Sequence, residues 1–103
     1  MIYKFKSKAA GDVIMLAATG DHVLRILGRE PAPQGILEVA AMPAAMAAIE
    51  AAVQQDEQAR QRAEAEGKRA HGGEAITLRQ RAWPLLEMIK RSQAAGADVV
   101  WGV

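Results

Sequence analysis

From the second residue the chain alternates: Tyr3 and Phe5 fall on one side, Ile2, Lys4 and Lys6 on the other. A period of two predicts a half-buried strand with a lysine-bearing outer face. After a turn at Ala9-Ala10-Gly11-Asp12, the apolar run Val13-Ile14-Met15-Leu16 predicts a second strand folded back as a hairpin. The period then lengthens. Asp21 is the expected N-cap of a short helix striped by Val23, Leu24, Ile26 and Leu27 and ended by Gly28. Pro31, Pro33 and Gly35 read as a loop, and Gly35-Ile36-Leu37-Glu38-Val39 as a brief extended piece.

Two longer helices follow. Pro43 suits a first helical turn, where its missing N–H removes no bond, and Met42, Met46, Ile49 and Val53 recur at helical spacing. Past Val53 no apolar side chain larger than alanine occurs up to Glu74. Asp56/Arg60 and Glu57/Gln61 are pairs that carry a helix into water, and a mobile charged segment is expected at about 62–75. Thr77 with Gln80 has the spacing of a capping box, and Gly96 is the expected stop. Pro84 leaves two readings open: a kinked helix from Leu78, or a helix that begins at Pro84, with Trp83 at a bend in both. The last run, Asp98-Val99-Val100-Trp101-Gly102-Val103, is apolar and β-type. Such a strand calls for cover on both faces or a pairing at a partner's edge.

The pattern therefore predicts one α+β domain over residues 1–103: a small sheet of three to four strands, packed on one face by two longer helices and one short helix. Tyr3–Phe5 and Val99–Val103 are the expected central strands. Composition adds limits. Half of the 103 residues are hydrophobic by type, yet only four are aromatic and alanine fills much of the rest, so Leu, Ile, Val and Met must build the core. Without cysteine there are no disulfides or thiolate metal sites. The lysine-rich start lacks the apolar segment of a secretory signal, and no run approaches the roughly 20 apolar residues of a membrane span. A cytoplasmic protein without membrane contact is expected.

The net charge of +1 is unevenly spread: residues 1–35 carry five basic and three acidic side chains, 36–66 two and six, and 67–103 six and three. Alternating blocks of charge suit internal pairing or self-association better than a phosphate-binding surface. The helix after Thr77 has a basic look, but on a wheel of about 100° per residue Leu78, Ala82, Leu85, Leu86 and Ile89 form a core stripe. Arg79 and Lys90 fall on one flank of it and Arg81 on the other. No single basic face results.

Candidate binding residues are accordingly few. Trp83, flanked by Arg79 and Arg81, marks a shelf or a crevice. Lys4 and Lys6 offer an anion grip or, more simply, a guard against edge-to-edge strand pairing. His22 and His71 are far apart in sequence and lack the spacing of metal ligands, so no metal, cofactor or catalytic residue is expected.

The stretches YKFKSKAAGDVIML, GREPAPQGIL, MPAAMAAIEAAV, LRQRAWPLLEMIKRS and DVVWGV together resemble a bacterial family of small uncharacterised proteins, family eighteen-forty in the domain-of-unknown-function series. The resemblance spans nearly the whole chain and weakens in the charged middle. It implies a stand-alone bacterial, cytoplasmic domain and transfers no activity or site residue. The leading expectation is a non-enzymatic interaction module forming a homodimer. An anion or nucleic-acid binder using Lys4, Lys6, Arg79 and Arg81 is the alternative. A ligand or enzyme site around Trp83, His22 and Arg81 would require those residues to converge.

Overall fold

A computed structural model describes residues 2–65, 67 and 77–102. Strands β1 (Ile2–Ser7) and β2 (Ala10–Leu16) form the hairpin, followed by helix α1 (Ala17–Ile26), the short strand β3 (Gly35–Leu37) and a 3-10 turn at Val39–Ala41. Helices α2 (Met42–Ala65) and α3 (Leu78–Ala95) come next, and β4 (Val99–Trp101) completes the sheet. The four strands are antiparallel in the order β2-β1-β4-β3, so the first and last strands of the chain are the central pair.

All three helices pack on the face that carries Tyr3 and Phe5, giving the expected α+β fold. One row across this face shows why. Val13, Phe5, Trp101 and Gly35 are register partners, and the Phe5 and Trp101 rings sit 5.7 Å apart. Gly35 completes the row because a Cβ there would overlap the Trp101 ring. The Trp101 indole N–H reaches the carbonyl of Ala32 at 3.1 Å, so the ring is buried without an orphaned donor. Helix α2 adds Met42, Ala45, Ile49 and Val53 to the core, and α3 adds Ala82, Leu85, Leu86, Met88 and Ile89. Ser92, the one buried polar residue among those described, is satisfied by the Ser7 hydroxyl at 2.6 Å.

Three expectations are corrected. Asp21 is not an N-cap: β2 runs directly into α1, whose N-cap is Leu16, and Asp21 lies inside the helix, where it accepts a hydrogen bond from the Tyr3 hydroxyl. Gly20 permits this seat, since any side chain there would strike the Tyr3 ring. The hairpin turn is Lys8-Ala9, because Ser7 already pairs with Ala10 and the strand extends through Gly11 and Asp12. Finally, β4 needs neither cover on both faces nor a partner's edge. It is paired on both sides within the chain, and only Val100 turns to the uncovered face.

The local signals around α3 hold. Thr77 and Gln80 form the reciprocal capping box, and Gly96 ends the helix in the left-handed region at φ 70°. The helix begins at Leu78, with Pro84 inside it. Asp56 on α2 accepts both the Leu78 N–H and the Arg60 side chain, which sets the start of α3 level with Asp56. The two turns of α2 beyond that level are largely exposed through Ala65, and the remainder of the segment expected to be mobile, with His71 and apart from Gly67, lies outside the described residues. Among the described residues no helix is long and apolar enough to cross a membrane.

Candidate functional site

Helices α2 and α3 run antiparallel, and between their outer edges lies a groove of about 310 Å³. Its floor is the outer margin of the core: Ile49 and Val53 from α2, Ala82 and Leu86 from α3. The walls differ in charge. Glu50 and Gln54 stand on the α2 side, Arg79, Trp83 and Lys90 on the α3 side. This division follows from the helical period, which places residues three and four positions apart on one edge of each helix.

Trp83 is 44% exposed, whereas Trp101 is 3% exposed. The Lys90 ammonium lies 5.4 Å from the centre of the Trp83 ring, within cation–π range. At the other end of the groove Arg79 makes a two-pronged ion pair with Glu57, at 3.1 and 3.0 Å. That hydrogen bonding, reinforced by the guanidinium charge, holds the Glu57 carboxyl below its ordinary range and raises Arg79. Glu57 had been expected to pair along its own helix with Gln61; the cross-helix partner was hidden because the register of α2 against α3 is a tertiary fact.

The remaining candidates are dispersed. Arg81 leaves α3 on the other flank, with its guanidinium 3.5 Å from the Thr19 hydroxyl of α1. His22 is exposed on α1. Lys4 and Lys6 project from the uncovered face of the sheet, and Lys4 pairs with Asp12 at 3.5 Å. They stand on a central strand, so they guard no edge. A wider depression of about 820 Å³ lies where Lys6, Lys8 and Asp98 surround the end of α3, remote from Trp83. Among the described residues no group of three or more His, Cys, Asp or Glu is placed to hold a metal ion.

The groove therefore joins Arg79 and Trp83 and leaves Arg81, His22, Lys4 and Lys6 elsewhere. Glu50, Gln54 and Lys90 are the residues that sequence reasoning missed as a set. Their signal was present, since each flanks the apolar stripe of its helix, but nothing in one sequence says which flanks face one another.

Fold and groove together define a small α+β domain with an exposed tryptophan beside the groove between two helices. The family model for a domain of unknown function (DUF1840) matches residues 1–101, and the chain belongs to that family. No curated protein and no solved structure matches it.

Proposed function

We propose that this chain is a non-enzymatic interaction module that forms a homo-oligomer, in the bacterial cytoplasm that the family resemblance implies. The observation that carries this reading is the placement of its exposed large apolar side chains. Ile2, Ile14, Leu16 and Ile36 stand on the uncovered face of the sheet and Trp83 beside the helix groove, while the core behind them is closed. Grouped apolar side chains rimmed by charge are the usual mark of a contact surface.

The apolar β4 loses its weight in this argument, because its pairing is complete within the chain. The acidic α2 extension keeps its weight. The nucleic-acid reading is less well supported: the lysines and arginines lie on different surfaces, and Arg79 is already held by Glu57. Phosphate tracking needs a continuous basic surface.

Light scattering over a concentration series tests the proposal. A molar mass rising to a multiple of the monomer's is expected; a monomer at high micromolar concentration contradicts it.

A further inference from the structure

A symmetric dimer places one surface on its own copy, so each exposed surface can be asked whether it tolerates itself. The uncovered sheet face does so poorly. Lys4 and Lys6 stand on β1, between the Ile2, Ile14 and Leu16 cluster and the Val100 and Ile36 pair. Stacking two such faces sets lysines against lysines, with Asp12, already paired to Lys4, as the nearest answering acid. Like charges facing across an interface oppose association.

The helix groove is complementary to itself. Its α2 wall is acidic and its α3 wall basic. Resting on the self-association proposed above, we infer that the chain dimerises through the α2–α3 groove about a two-fold axis parallel to the helices, with α2 of each copy lying over α3 of the other.

Charge selects that axis. A two-fold perpendicular to the helices within the same plane would lay α2 on α2 and α3 on α3, acid on acid and base on base. The parallel axis keeps every residue at its own level along the helices while exchanging the walls. Glu57 and Arg79 share one level, as their ion pair fixes. Glu50 stands seven residues from Glu57, roughly 10 Å along α2, and lines the groove together with Lys90. Lys90 stands eleven residues from Arg79, roughly 16 Å along α3, and reaches back toward the level of Glu50 over the Trp83 ring. Across the two-fold, Glu50 of one copy therefore meets Lys90 of the other. Within one copy Glu50 has no ion-pair partner among the described residues, while Lys90 rests over the Trp83 ring. Trp83, midway between the two levels, comes down over the groove floor of the second copy near Val53. An aromatic anchor at the centre with charges at its rim is the arrangement that concentrates binding energy in protein contacts.

The test uses the full chain and three variants, with dimerisation read by sedimentation and folding by thermal melting. Glu50→Lys and Lys90→Glu each place like charge on both walls, and each is expected to weaken the dimer at least about 10-fold while the melt of the monomer persists. Mixed in equal amounts, the two variants are expected to form a heterodimer, because positions 50 and 90 then face each other with opposite charge at both contacts across the interface. Dissociated single variants that do not recombine would overturn the two-fold pairing. A dimer unaffected by either variant but dissociated by Ile14→Asp would place the contact on the sheet and overturn the groove, leaving self-association intact. A monomeric wild type would remove the underlying reading itself.

Discussion

The two faces of β1 carry opposite lessons within six residues. Tyr3 and Phe5 are buried and stacked with ring centres 6.1 Å apart, while Ile2 and Lys4, on alternate positions, face water. The buried face is specified by volume: rings, a glycine under the Tyr3 and Trp101 rings, and a partner for each buried side-chain polar atom among the described residues. The open face packs against nothing among the described residues, which is why Ile14 at 61% and Leu16 at 71% exposure can persist there. Such a contrast separates what the fold needs from what a partner could use.

The contrast should show first in large-to-small substitutions. Phe5→Ala is expected to cost about 3–5 kcal/mol in urea unfolding, through lost burial and the cavity left behind. Ile14→Ser on the open face should stay within about 0.5 kcal/mol in the monomer. Equal losses would mean that the sheet is covered on both sides.

Glycine substitutions sharpen the same point. A Cβ at Gly20 would overlap the Tyr3 ring, so Gly20→Ala is expected to destabilise by about 1–3 kcal/mol despite the better helix propensity of alanine. Gly11, with open space around it, should accept alanine with little change in the same thermal melts.

The smallest effects are electrostatic. The hydrogen bond to Asp21, then burial and the Asp21 charge, raise the Tyr3 phenol above its ordinary value. A raised pKa means that the contribution is complete below about pH 10 and declines as pH rises toward the folded value. Tyr3→Phe is expected to cost about 1 kcal/mol near neutrality and to remove that alkaline decline, as urea midpoints across pH would record. On the open face, Lys4→Ala breaks the exposed pair with Asp12 and should change stability by less than about 1 kcal/mol.

Local signals were legible wherever a residue's task depends on its immediate neighbours. The alternation of β1, the Thr77–Gln80 capping box and Gly96 all acted as their spacing implied. Asp21 failed as a cap because a tertiary demand won: Tyr3 needed an acceptor, and Val23 and Leu24 are buried on a helix that begins at Ala17. The short β3 was a marginal signal, since three residues carry little periodicity and its pairing with β4 supplies what they lack. At the groove, Trp83 and Arg79 could be singled out as unusual, but the wall opposite them could not, because the register between two helices is absent from either helix alone.

The central functional claim is that the Trp83 side of the helix layer is covered by a second copy. Acrylamide quenching of tryptophan fluorescence in the wild-type chain, followed from dilute to concentrated protein, tests it most directly, because Trp101 is buried and Trp83 dominates the quenchable signal. Quenching that falls in step with the rise in molar mass is the expected result. Quenching that stays constant while the mass doubles would contradict the account and turn attention to the open face of the sheet.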